Sequence, residues 1–209
     1  MMPLPWPCHH SPLAARDQGR STIGLKRENM RFIKWVLGIV VGLAVLTTGI
    51  GFLLPGKYVV SRSITINTAP DRVYALLEDP RRWKDWMPWH RRDPAMTISP
   101  LGAERGVEKG VGAGSAWKSN TEGASRLRLT STEPGRRLSF EWQKPERGTT
   151  ALGEFRLAAA GLGTRVSWTL SADAGDNPFD RWAGVFADGL TGTDLANGLA
   201  NLKALAERP

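Results

Sequence analysis

Val60-Ser61-Arg62-Ser63-Ile64-Thr65-Ile66-Asn67-Thr68-Ala69-Pro70-Asp71-Arg72-Val73-Tyr74-Ala75-Leu76-Leu77 changes its hydrophobic period midway, and that change decides the fold. From Tyr58 to Ile66, the residues Val60, Ile64 and Ile66 share one face at period two, which predicts a strand. Val73, Tyr74, Leu76 and Leu77 then recur at helical spacing, which predicts a short helix. Between them, Thr68-Ala69-Pro70-Asp71 predicts a capping box, with Thr68 accepting from the backbone near Asp71 and the Asp71 carboxylate reaching back. Pro70 suits a first helical turn, where its missing N–H has no helical partner to lose. Asp79-Pro80 ends the helix, because a residue before proline is pushed out of helical dihedrals.

Downstream, Trp83, Trp86 and Trp89 follow at spacing three, so one face of a second short helix carries all three indoles, with His90 next in line. Six strands are predicted after that: Ala95 to Ser99, Ser115 to Ser119, Ser125 to Ser131, Arg137 to Gln143, Ala151 to Leu157 and Arg165 to Leu170. Gly110 to Gly114, Glu133-Pro134-Gly135 and Ala160-Gly161-Leu162-Gly163 punctuate them as turns, which implies antiparallel hairpins. Leu138, Phe140 and Trp142 alternate with Arg137, Ser139 and Glu141, so one side of the sheet is wet. Phe179, Trp182, Ala183 and Phe186, then Leu195, Leu199, Leu202 and Ala206, return to helical spacing. A long terminal helix, bent at Gly189 and Gly192, is expected to bury this stripe on the dry face of the sheet.

Upstream, Trp35 to Leu54 carries no charge and is apolar around its whole circumference. A helix of about 20 residues just crosses the roughly 30 Å hydrocarbon layer, so residues 30–56 read as a single transmembrane anchor. A cleaved signal peptide fits less well, since Gly51-Phe52-Leu53-Leu54-Pro55 offers no small-x-small cleavage site. Arg16, Arg20, Lys26, Arg27, Arg31 and Lys34 precede the span, against Lys57 and Arg62 after it. The positive-inside rule then keeps the N-terminus cytoplasmic and puts the large C-terminal part on the outer, periplasmic-type side. Gly38 and Gly42 form one G-x-x-x-G spacing, through which two anchors could pair weakly as a homodimer.

Residues 1–29 hold Pro3, Pro5, Pro7 and Pro12 and read as a disordered leader, or as an over-extended start upstream of Met30. Cys8, His9 and His10 sit together there without a fourth ligand at zinc-like spacing, so no metal is implied. Residues 57–209 then form one domain of ~150 residues, the usual size for a single core. Its only histidine is His90 and it has no cysteine, which excludes a disulfide framework, a Cys/His zinc site and thiol catalysis. The chain's formal charge of +8 does not point to nucleic acid. Arg81, Arg82, Lys84, Arg91 and Arg92 alternate with Asp79, Asp85 and Asp93 rather than forming a stripe, and anionic lipid headgroups are the simpler partner.

The order strand, two short helices, six antiparallel strands and a long terminal helix resembles the START-like helix-grip superfamily. The residues resemble it too: Val60 to Pro70 with Val73 to Leu77, Trp83 through Trp89 followed by Asp93-Pro94-Ala95-Met96, Gly112 to Trp117, and Gly198-Leu199-Ala200-Asn201-Leu202-Lys203 are similar to its polyketide cyclase-like branch, SRPBCC. The likeness runs over roughly residues 57–207 and implies an α+β fold whose sheet wraps round the last helix to leave a cavity. Binding proteins and enzymes share this fold, so function has to be argued from the site.

No G-x-S-x-G elbow occurs, and Ser115 stands where a third glycine of G-x-G-x-x-G would fall, so neither serine hydrolysis nor nucleotide binding is read here and no cofactor is implied. Cyclase chemistry in the relatives requires one or two inward acid or base groups, for which Glu141, Glu154, Arg126 or His90 would serve. The parity of Glu141 and Arg126 sends both towards solvent, and His90, with Asp85 and Asp93 nearby in sequence, reads as a packing residue. The best-founded candidate is an apolar cavity lined by Trp83, Trp86, Trp89, Trp117, Trp142, Trp168, Trp182 and Phe186, taking a lipid or polyketide-like molecule. Core filling by the same indoles is the alternative for these residues; a cyclase or dehydratase acting on a bound aromatic or polyketide substrate is the second functional reading, and an envelope partner-binding module the third.

Overall fold

A computed structural model describes residues 22–208; Cys8, His9 and His10, with most of the leader, lie outside the described residues. Helix α1 spans Thr22–Leu53. Within it, Met30–Leu53 is long and apolar enough to cross a membrane, and its Leu, Ile and Val side chains stand exposed around the helix. The chain divides after Thr47 into two compact units, so the last turn of α1, from Thr48, groups with everything that follows.

In the second unit the order is β1 (Lys57–Ile66), α2 (Pro70–Leu77), a 3-10 turn (Pro80–Asp85), α3 (Pro88–Arg92), β2 (Thr97–Leu101), β3 (Gly114–Ser119), β4 (Gly123–Glu133), β5 (Arg137–Lys144), β6 (Thr149–Ala160), β7 (Gly163–Asp173) and α4 (Pro178–Ala206). The seven strands form one antiparallel sheet in the order β1-β7-β6-β5-β4-β3-β2. From β2 at one edge, hairpins carry the chain strand by strand to β7, and β1 pairs with that last strand, Tyr58 opposite Ala172 and Ile66 opposite Thr164. This is the helix-grip arrangement. Alternation holds as expected: Val166, Trp168 and Leu170 are buried in β7, while Arg165, Ser167 and Thr169 turn the other way.

Two local expectations are corrected. Helix α2 starts at Pro70 with Ala69 as its N-cap and no side-chain cap, so the Thr68–Asp71 capping box does not form. The Thr68 carbonyl instead accepts from the Thr164 hydroxyl at 2.7 Å, tying the end of β1 to the start of β7. The three early tryptophans also do not share one helix. Pro88 holds Met87 in an extended conformation (φ −65°, ψ 129°), so the chain breaks between the 3-10 turn and α3. All three indoles nevertheless turn inward, at 3 % exposure or less.

Trp86, Trp168, Phe140 and Phe155 are fully buried and pack with Trp83 in edge-to-face and tilted pairs, with Trp86 5.8 Å from Trp168 and Trp83 5.2 Å from Phe140. Such pairs add roughly 0.5–1.5 kcal/mol each beyond area burial. The Trp83 indole N–H donates to the Leu77 carbonyl at 2.9 Å, and Asn201 of α4 donates to the Trp86 carbonyl at 3.0 Å, so the aromatic block is fastened to both helices.

Helix α4 is one continuous helix of 29 residues, as expected of a long terminal helix. Three of its glycines mark close approaches: Gly184 faces the Tyr58 ring, Gly192 the Arg62 guanidinium, and Gly198 the Trp168 ring. Leu195, Leu199, Leu202 and Ala206 are buried on the sheet as expected. The first half of the stripe is not. Phe179 is 69 % exposed and Phe186 61 %, because the side of the helix turned to the sheet there carries half-buried Gly184, against Tyr58, and buried Ala187.

Candidate functional site

The strand registers explain why the interior is solid at one level and hollow at the next. One inward row crosses the sheet as Phe140, Gly153, Leu170 and Val60, and the Phe140 ring lies over Gly153 where a Cβ would stand. The neighbouring row reads Trp142, Ala151, Ala172 and Tyr58. Two alanines between two large aromatics leave a gap, and α4 faces that gap with Ala183, Gly184 and Ala187. Small residues on both sides of one interface cannot fill the roughly 10 Å between packed layers.

The result is a cavity of about 860 Å³, within the range of small-molecule sites. Its inner end is closed by Trp89, Trp142, Leu170 and Leu195. Trp89 and Trp142 are stacked, with centroids 4.9 Å apart. Their indole N–H groups are buried and find no acceptor among the described residues. Burial raises the Tyr58 phenol above its usual range, which keeps it a neutral donor at pH 7.

A polar rim surrounds this apolar floor. Arg92 of α3 reaches Glu122 at 2.7 Å and Asp194 of α4 at 2.6 Å, bridging three parts of the chain beside the opening. Hydrogen bonds to the two carboxylates raise the pKa of the guanidinium further, so it stays charged. Lys144 sits 5.0 Å from the Trp142 ring centroid, and Thr149, Thr150, Thr191 and Asp180 complete the rim. The cavity therefore joins an apolar floor to a polar rim.

The sequence of residues 57–207 matches the model of the family described as "Polyketide cyclase / dehydrase and lipid transport". The chain belongs to that family. No curated protein matches the chain. Among solved structures, this family member resembles truncated norcoclaurine synthase from Thalictrum flavum, at 10 % identity over 73 % of this chain and 95 % of that one, with a TM-score of 0.56. It also resembles an uncharacterised protein from Rhizobium leguminosarum (17 % identity, 73 % and 96 % covered, TM-score 0.54) and a protein from Mesorhizobium loti (19 %, 72 % and 97 %, TM-score 0.51). At such identities the likeness is one of fold.

Within this polyketide cyclase/dehydrase and lipid transport domain, the eight aromatic residues picked out by sequence fall into separate places. Trp89 and Trp142 line the cavity. Trp83, Trp86 and Trp168 lie behind it in the packed core, at 3 % exposure or less. Trp117 stacks on Trp89 at 6.1 Å and borders a void of about 10 Å³, room for one water. Trp182 is half-buried and Phe186 exposed, and neither lines the cavity. Tyr58, Arg92 and the small residues of β6, β7 and α4 also line the cavity and are not among those eight. Tyr58 was legible, since it shares the parity of Val60.

The acid and base candidates separate likewise. Arg126 is exposed, Glu141 stands beside Arg128 of the neighbouring strand on the outward face, and Glu154 is ion-paired with Arg156 on that same face. His90 turns inward beside Trp89 and Trp117, but it borders the small void rather than the large cavity. Burial lowers its pKa to about 4, with Asp85 partly opposing, so the imidazole is neutral at pH 7.

Proposed function

We propose that this chain is a membrane-anchored binding protein that holds a lipid-like molecule between α4 and the strands β5 to β7. The observation that supports it is the cavity of about 860 Å³, with stacked Trp89 and Trp142 at its inner end and Arg92, Lys144 and threonines at its rim. An acyl or polyketide-like body fits the former and a polar head the latter. In this reading Met30–Leu53 spans the bilayer with the N-terminus cytoplasmic, and the domain of residues 57–209 works on the outer side. Only Leu54, Pro55 and Gly56 separate the end of α1 from β1, so a guest passes between bilayer and cavity with little exposure to water.

The test is a titration of the detergent-solubilised full chain with a fluorescent fatty-acyl probe. Saturable quenching of tryptophan emission is expected, reduced in Trp142→Phe and lost in Ala187→Trp, whose indole fills the hollow from the α4 side. Non-saturable partitioning, equal in all three proteins, would refute the reading.

A further inference from the structure

Phe179, Trp182, Phe186 and Leu190 recur along α4 at steps of three, four and four, which places them on one stripe of the helix. Phe179, Phe186 and Leu190 are 69 %, 61 % and 75 % exposed. Large apolar side chains massed on one helix face away from the core call for an apolar partner. The neighbourhood names it. The start of α4 is seated on the last turn of α1: Pro178 lies so close to Gly51 that a Cβ there would stand 2.6 Å away. Arg181 donates to the carbonyls of Phe52 at 2.9 Å and Leu54 at 3.3 Å, closing the C-terminal end of α1.

Phe52 and Leu54 are where the apolar span ends, and the end of a span marks the boundary between hydrocarbon and headgroups. The first turns of α4 therefore stand at that depth. We infer that the stripe Phe179–Trp182–Phe186–Leu190 inserts into the bilayer surface. Leu190 also lines the cavity, as does Ala183 next to Trp182, so the inserted stripe runs into the cavity rim and the opening faces lipid. Beside the stripe, Arg181 is paired with Asp176 and Arg62 with Asp188, so the flanking cations are neutralised and the contact is apolar, not an attraction to anionic headgroups. The inference rests on the anchored reading above.

The experiment keeps the two apart. The full chain with Cys8→Ser is reconstituted into phosphatidylcholine nanodiscs, with one nitroxide at Leu37→Cys, Phe186→Cys, Leu190→Cys or Leu162→Cys. Leu162 is fully exposed in the β6–β7 turn and reports on water. Relative accessibility to oxygen and to a nickel chelate is then read by electron paramagnetic resonance. The labels at 37, 186 and 190 are expected to favour oxygen, and the label at 162 the chelate. Labels at 186 and 190 that match the one at 162, while 37 remains in lipid, would overturn the stripe and leave the anchor standing. A water-exposed label at 37 would overturn both. Dipolar broadening at 186 would assign the stripe to a second copy of the chain and likewise overturn the inference.

Discussion

Trp142 of β5 and Ala151 of β6 face each other across the sheet, and the difference in size between these neighbours begins the hollow that α4 covers. Ala172 and Tyr58 continue the row, so the cavity is written in side-chain volume at four registered positions.

Filling that row from either side is expected to abolish binding without unfolding the domain. Ala187→Trp places an indole into open space, whereas Trp86→Ala empties a solid core and costs about 3–5 kcal/mol. Denaturant midpoints and probe binding together check the contrast: binding is lost and the midpoint nearly kept in the first variant, and the midpoint falls steeply in the second.

His90 makes stability sensitive to mild acid. Its folded-state pKa of about 4 lies below the ordinary 6.5, so the unfolded chain takes up a proton first as pH falls. The full stability is present above pH 6.5 and is lost between there and about pH 4, by up to roughly 3 kcal/mol and less where water screens the ring. His90→Phe removes two buried ring nitrogens that lack partners among the described residues. The variant is expected to flatten the dependence of unfolding free energy on pH from 6.5 to 4. The lowered carboxyl pKa values of Asp79, held by Arg81, and Asp188, held by Arg62, act below that window.

The glycines of α4 divide into seats and spares. A Cβ on Gly198 would stand 2.7 Å from the Trp168 ring, so Gly198→Ala is expected to cost about 1–3 kcal/mol. Gly189 has open space around it, and Gly189→Ala is expected to stabilise by about 0.5–1 kcal/mol through helix propensity. Thermal midpoints moving in opposite directions check both.

Arg92 joins α3, Glu122 and Asp194 at the rim, yet its side chain is 44 % exposed. Arg92→Gln is therefore expected to cost no more than about 1 kcal/mol at low salt and less at high salt. A denaturant series at two ionic strengths measures it.

Strand parity, turn glycines and the terminal helix made the architecture legible in the sequence, and the strand-to-helix switch after Ile66 located its start. The capping box failed because its pattern does not fix which residue begins a helix, and Pro70 already supplies the first turn. The site was half legible. Inward parity identified Trp142, and Trp89 followed from its cluster, but parity alone could not tell a tryptophan over the solid row from one beside the hollow row. That distinction depends on register, which puts Gly153 opposite Phe140 and Ala151 opposite Trp142. The exposed half of the α4 stripe was misread for a related reason. Helical spacing shows that Phe179 and Phe186 share a face, and only the placement of Gly184 and Ala187 against the sheet shows that the face points outward.

The most direct measurement is solvent extraction and mass spectrometry of the full chain purified in detergent, wild type beside Ala187→Trp. A stoichiometric lipid-like molecule in the wild type and none in the variant is the expected result. The same extract from both proteins, or nothing from either after exposure to cell lipids, would contradict a binding cavity beneath α4.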